Sequence, residues 1–152
     1  VRVVSAREMH EAAIAQWPDM DIACLTAAVS DFRPIPYGAE KFKKKTAQGG
    51  KLGFDLEENP DILLNMGQSK KSGQTLIGFA AETSSLVENA RAKLVGKNCD
   101  LLVANLVGVP DSGFETSTNR ITLLDRAGRE ESWPVLPKPE VAWRIWDHVS
   151  LL

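Results

Sequence analysis

Two lysine patterns and one aspartate define the chemistry open to this chain. Residues 27–34 read Ala-Ala-Val-Ser-Asp-Phe-Arg-Pro, and Lys-Phe-Lys-Lys-Lys begins at position 41, ten residues after Asp31. A lysine ammonium on its flexible stem can follow a phosphate as it changes position, and a loop bearing Lys41, Lys43, Lys44 and Lys45 can close over a nucleotide. A lone run of this kind is ordinarily a solvated loop. Here an apolar run, 22–29, delivers an acid and then the cationic loop to one end of a predicted buried strand, where open α/β sheets bind ligands. That is a site for a polyanion. Lys93 and Lys97 form the second pattern: four residues apart on and just past a predicted helix, they can grip one triphosphate from two points. Taken alone, such a pair is a solvated helix edge.

The elements that must position these groups follow from periodicity and turn chemistry. Residues 1–4 read as a short strand, and Ser5 followed by Glu8 has capping-box spacing for a helix with Met9, Ala12, Ala13 and Trp17 on or near its apolar side. The run 22–29 reads as a strand. From 30 to 53 the chain is Gly-, Pro- and Lys-rich without periodicity, a length of loop that is uncommon unless functional. Asn59-Pro60 fits an N-cap and first-turn proline for a helix facing Ile62, Leu63 and Met66 inward. A strand over 74–80 precedes a helix capped by Thr83 or Ser84 with Leu86, Ala90 and Leu94 inward, and a strand follows over 101–104. This alternation implies a parallel sheet. The segments 120–124 and 131–136, joined by Asp-Arg-Ala-Gly, predict a hairpin. A last helix from Pro139 places Trp143 and Trp146 as docking residues, in the core or against a second subunit.

Bulk properties narrow the class. The chain has 152 residues, 43% of them hydrophobic and 25% charged, which is ordinary for one globular domain. A net charge of −2 provides no global basic field, so neither nucleic acid nor an anionic membrane is an expected partner. Two cysteines make no disulfide framework; Cys24 and Cys99 are expected to be buried, in keeping with a reducing cytoplasm. No stretch approaches the roughly 18 apolar residues of a membrane helix, and no signal-peptide pattern opens the sequence. His10 and His148 have no ligand-like neighbours to support a metal site or nucleophilic triad. A dinucleotide-binding reductase is disfavoured, because no G-x-G-x-x-G follows a predicted strand.

Four motifs in fixed order support a sharper reading: the 27–34 segment with its lysine loop, Asn-Pro-Asp-Ile-Leu at 59–63, Gly-Phe-Ala-Ala-Glu-Thr at 78–83, and Ala-Arg-x-Lys-Leu-x-x-Lys at 90–97 leading into Asp-Leu-Leu-Val-Ala-Asn at 100–105. Together they resemble the phosphopantothenoylcysteine synthetase family of bacterial coenzyme A synthesis, over about 5–125. The resemblance implies a Rossmann-like, three-layer α/β fold with a mostly parallel sheet and a C-terminal β-hairpin dimerisation element. It implies a ligase that activates 4′-phosphopantothenate with CTP and Mg2+, then forms an amide with L-cysteine. Lys41 falls on the loop lysine tied to catalysis. Leu25, Thr26 and Ala27 match a backbone strip for the pyrimidine, and Asp31 matches the nucleotide-site aspartate, able to meet a ribose hydroxyl or the divalent cation. Pro60, Asp61, Ile62 and Leu63 match a segment whose backbone N–H groups can meet an anion. Phe79, Lys93 and Lys97 complete the nucleotide site.

Arg33 and Asn105 are substrate or structural candidates. The residue after Asn105 is Leu106, where the family commonly has aspartate. Gly113, Phe114 and the segment 119–123 match the family's dimer contact. The family's opening glycine-rich and Asn-x-Ser-Ser-Gly loops have no counterpart here, so the chain reads as a single domain over 1–152, the C-terminal two-thirds of a synthetase domain without its first βα unit. FMN is expected only where a decarboxylase domain accompanies it. The alternative from another class is a non-catalytic nucleotide-binding or dimerising fragment.

Overall fold

A computed structural model describes residues 1–35, 53–108 and 116–152. Helix α1 (Ala6–Gln16) starts as its sequence requires: Ser5 Oγ accepts from the Glu8 N–H at 3.2 Å while the Glu8 carboxylate returns to the Ser5 N–H. The same carboxylate accepts from the Val4 N–H at 2.7 Å. Residues 1–4 are thereby drawn into the cap, with Val1 and Val4 exposed, and form no strand. After α1 a short 3-10 turn (Trp17–Asp19) buries Trp17, whose indole N–H donates to the Met66 carbonyl at 2.9 Å.

The central sheet runs in the order β1 (Ile22–Leu25), β4 (Thr75–Glu82), β5 (Leu101–Leu106), β7 (Ile121–Asp125) and β8 (Glu130–Ser132). The first three are mutually parallel, and β7 and β8 continue the sheet antiparallel as the predicted hairpin. Side-chain alternation divides the interior into two clusters. Leu76, Ala80, Leu102, Ala104 and Leu124 face α1, α2 (Ile62–Gln68) and α3 (Leu86–Gly96), while Ile77, Leu101, Val103, Ile121 and Leu123 face Trp133, Val141 and Ile145 of the α4 side. Helix α4 spans Lys138–Val149. The result is helix, sheet, helix: the expected three-layer architecture, with strands buried on both faces as their near-continuous apolar runs require.

Several local expectations are corrected. The run 22–29 is a strand only through Leu25, and Cys24 is exposed because β1 is an edge strand, whereas Cys99 is buried. After Ser30, β2 (Phe32–Pro34) pairs antiparallel with β3 (Leu56–Glu58). The cap of α2 is Asp61, which accepts from the Leu64 N–H at 3.0 Å, and not Asn59, whose amide instead pins the Ser30 carbonyl at 2.8 Å and accepts from Arg33. Neither Thr83 nor Ser84 caps α3; the cap is Ser85 in a left-handed conformation, while the Asn89 amide reaches back to the Ser84 carbonyl. Trp143 and Trp146 are 72% and 49% exposed, so they are not core residues. Helix α4 docks through Val141 and Ile145, four apart, and leaves both indoles on other faces. Strands β6 (Thr118–Asn119) and β9 (Leu136–Pro137) form a separate small ladder.

Two glycines set how closely these layers approach. A Cβ on Gly67 would lie 1.9 Å from the Lys97 carbonyl oxygen, so the end of α2 sits directly against the turn that follows α3. The Asn98 amide closes this contact by donating to the Gly67 carbonyl at 2.6 Å, from a left-handed backbone position that asparagine tolerates. A Cβ on Gly78 would meet the Leu63 and Leu102 methyl groups at 2.7 and 2.9 Å. Side-chain-free β4 backbone therefore lets α2 lie close to the sheet.

Candidate functional site

A cavity of about 870 Å3 opens where the carboxyl ends of β1 and β4 meet the start of α2 and the last turn of α3. It is lined by Leu25, Thr26, Ala27, Phe79, Ala80 and Ala81 from the strand ends, by Asp31, Glu58, Pro60, Asp61, Ile62 and Leu63 from the segments around β2, β3 and α2, and by Lys93 and Lys97 from α3 and its end. The parallel pairing of Leu25 with Gly78 ends β1 partway along β4, whose last residues, Phe79 to Glu82, run on past it, which is why segments far apart in sequence share one wall. Eleven of the residues singled out from sequence thus come together: Leu25, Thr26, Ala27, Asp31, Pro60, Asp61, Ile62, Leu63, Phe79, Lys93 and Lys97. Lys41, with Lys43, Lys44 and Lys45, falls outside the described residues.

Each cavity lysine is held by a carboxylate. Lys93 Nζ lies 2.6 Å from Glu82 Oε1, and Glu82 Oε2 accepts from the Asn89 amide at 2.9 Å. Burial pushes the Glu82 carboxyl up, but the bonds from Lys93 and Asn89 and the nearby ammonium charge outweigh it and hold the group below its ordinary value. Lys97 Nζ lies 2.9 Å from Asp61 Oδ2, while Asp61 Oδ1 caps α2. For Asp61 too, burial acts upward and is outweighed by Lys97, the Leu64 N–H and Lys93, so its carboxyl is also lowered. Sequence reasoning identified the two lysines without finding the pairing, although Glu82 and Asp61 both sit inside quoted motifs. The missing signal was three-dimensional: Lys93 meets the end of β4, and Lys97 meets the cap of a helix more than thirty positions earlier.

Arg33 and Asn105 do not line the cavity. The Arg33 guanidinium donates to the Glu58 carbonyl and to Asn59 Oδ1 at 3.0 Å, and pairs with Glu57 at 3.0 Å, fastening the β2–β3 ladder to the segment that leads into α2. Asn105 is buried near the end of β5, opposite Ala81 on β4 and Ile121 on β7. Among the described residues the cavity wall contains three carboxylates, Asp31, Glu58 and Asp61, against two ammonium groups. No cluster of three or more described His, Cys, Asp or Glu side chains can hold a metal ion by itself. His10 bonds the Asn65 amide at 2.8 Å, and His148 contacts Glu131 at 3.0 Å, away from this cavity.

The fold and cavity define a class: a three-layer α/β domain with a cleft at the carboxyl edge of parallel strands. Residues 1–152 match the family described as DNA/pantothenate metabolism flavoprotein C-terminal domain, and the chain belongs to that family. It is 38% identical over 152 residues to the coenzyme A biosynthesis bifunctional protein CoaBC of Bacillus subtilis (strain 168), covering all of this chain and 36% of that protein. It is also 39% identical over 142 residues to a cysteine/cysteine sulfinic acid decarboxylase of an unknown prokaryotic organism, covering 93% of this chain and 39% of that protein. The chain therefore spans little more than a third of the length of these relatives. The solved C-terminal domain of a CoaBC protein superposes with a TM-score of 0.77 at 34% identity, covering 99% of this chain and 64% of that one. Among the described residues no helix is long and apolar enough to cross a membrane.

Proposed function

We propose that this chain is the amide-forming domain of a phosphopantothenate–cysteine ligase in coenzyme A biosynthesis. A free carboxylate is a poor acyl donor at neutral pH, so 4′-phosphopantothenate is first activated: its carboxylate attacks the α-phosphate of CTP, pyrophosphate leaves, and an acyl-cytidylate forms. The amine of L-cysteine then attacks the acyl carbon and CMP leaves. The observation that carries this reading is the convergence of four separate sequence motifs on one cavity at the carboxyl edge of the sheet. Family membership and likeness to CoaBC over the whole chain support it.

In this reading Lys93 and Lys97 hold the triphosphate, Phe79 packs against the nucleoside, and Leu25, Thr26 and Ala27 offer backbone groups to the pyrimidine. Lys41 neutralises charge on the reacting groups. Two ammonium groups against three carboxylates do not attract a polyanion, so the lysines at 41–45 are needed as well as the described wall. Asp31 would hold Mg2+ through its carboxylate together with the bound phosphates, and the ion would supply compensation for the negative charge of the leaving pyrophosphate. A homodimer built on the β7–β8 hairpin and a cytoplasmic location complete the proposal.

The test is pyrophosphate release and amide formation with CTP, Mg2+, 4′-phosphopantothenate and L-cysteine, beside ATP and beside Lys41→Ala. Turnover that prefers CTP and is lost in the variant supports the ligase. The second reading is a nucleotide-binding or dimerising module without chemistry. Nucleotide binding without pyrophosphate release would select it.

A further inference from the structure

The two lysine pairs of the cavity differ in which partner stands toward the ligand. In the Lys93–Glu82 pair the carboxylate is the sheltered member, 12% exposed against 41% for the lysine, and Asn89 fixes its second oxygen. Glu82 thus lies behind Lys93. In the Lys97–Asp61 pair the order is reversed: the Asp61 side chain is 39% exposed and that of Lys97 29%, and Asp61 itself lines the cavity. A carboxylate in front of a lysine occupies a position that a ligand's anionic oxygen would take.

Resting on the nucleotide site proposed above, we propose that Asp61 is a specificity-determining residue: its carboxylate stands in for a ligand phosphate on Lys97 and must be displaced, so the site favours polyphosphates over monophosphates. A monophosphate, about −1.5 to −2 at neutral pH, reaches Lys97 alone and leaves Asp61 unpaired and repelled beside it. A triphosphate reaches Lys93 and Lys97 together and brings enough charge to offset the loss of the internal pair. The exchange leaves the fold in place, because Oδ1 still caps α2 while only Oδ2 gives up its partner.

Asp61→Asn isolates the effect. Asparagine is as good an N-cap as aspartate, so the helix start is kept while the competing charge is removed. Calorimetric titration of CTP and CMP, each with Mg2+, into the wild-type chain, Asp61→Asn, Glu82→Gln and Lys97→Ala gives the four affinity ratios. The expected result is tighter CMP binding in Asp61→Asn and a CTP-to-CMP affinity ratio reduced about tenfold, the scale of one charge-assisted bond. Lys97→Ala, which removes the contested cation, is expected to weaken CTP. Weaker nucleotide binding by Asp61→Asn, or an unchanged ratio, would overturn the inference and make Asp61 a direct ligand contact or a bystander. An equal fall in the ratio for Glu82→Gln would also overturn it, since net charge rather than displacement would then be responsible. A folded wild-type chain that binds no CTP refutes the nucleotide site itself and this inference with it.

Discussion

Gly67→Ala is the substitution that most directly links packing to the cavity. The added methyl carbon would lie 1.9 Å from the Lys97 carbonyl oxygen, 2.9 Å from its carbon and 3.2 Å from the Asn98 Cβ. Two of these three atoms are backbone, so no side-chain rotation relieves the overlap; α2 and the turn after α3 must separate by more than about 1 Å to restore contact near 3.4 Å. Alanine gains roughly 1 kcal/mol over glycine as a helix former. Against that stand overpacking of about 1–3 kcal/mol and a weakened bond from the Asn98 amide to the Gly67 carbonyl, about 1 kcal/mol or more when the acceptor is buried. The net loss is about 2 kcal/mol, equivalent to a melting temperature lower by roughly 4–8 °C in a chain of this size. Thermal and urea unfolding measure it, with Gly78→Ala as the comparison, because there the nearest atoms are methyl groups of Leu63 and Leu102 that can rotate. The displaced backbone is that of Lys97, so CTP affinity should fall with stability. A Gly67→Ala protein as stable as wild type would refute the close packing of α2 on this turn.

Three further outcomes are expected. Lys70 lies between the Asn98 carbonyl and the Asp100 carboxylate at 2.7–2.9 Å and is nearly buried; Lys70→Met should cost about 2–3 kcal/mol in urea unfolding, whereas Arg91→Met, breaking the exposed pair with Glu130, should cost under about 1 kcal/mol. Ser5→Ala removes the side-chain half of the α1 capping box and should cost about 1 kcal/mol, with helix loss visible by circular dichroism near the transition. Glu82 and Asp61 both have lowered carboxyl values, so they favour the folded state above the ordinary carboxylate range near pH 4 and lose that contribution as pH falls through their lower folded values. Unfolding free energy should therefore drop from pH 5 to pH 3, and Glu82→Gln should flatten that slope; an unchanged slope would show that the Lys93 pair does not discriminate folded from unfolded chain.

What the sequence disclosed depended on how local its cause was. The Ser5/Glu8 cap, the Asp125–Gly128 hairpin turn and the apolar runs of β4 and β5 are set by neighbours within a few positions, and the structure has each of them. Asn59 is not the cap because its partners are Ser30 and Arg33, more than twenty-five positions away, and a separation of more than twenty positions likewise hid the β2–β3 ladder. The core alternative for Trp143 and Trp146 fails because hydrophobicity alone does not say which stripe of an amphipathic helix docks within the chain; Val141 and Ile145 do, being the pair that meets Trp133 and β7, and the second-subunit alternative is untouched by this.

The same division runs through the site. Residue types sufficed to locate cations and an acid at a strand end, but the charge balance of the cavity is a property of the fold. Asp61 has one oxygen committed to its own helix and the other to Lys97, and Glu82 is fixed between Asn89 and Lys93. Each lysine is therefore already neutralised before any ligand enters. Binding at such a wall is an exchange of partners rather than a gain of new ones, and its net free energy is the small difference between two charge-assisted contacts. For the nucleotide site proposed above, selectivity then depends less on how many lysines face the cavity than on which of their carboxylates a ligand must displace.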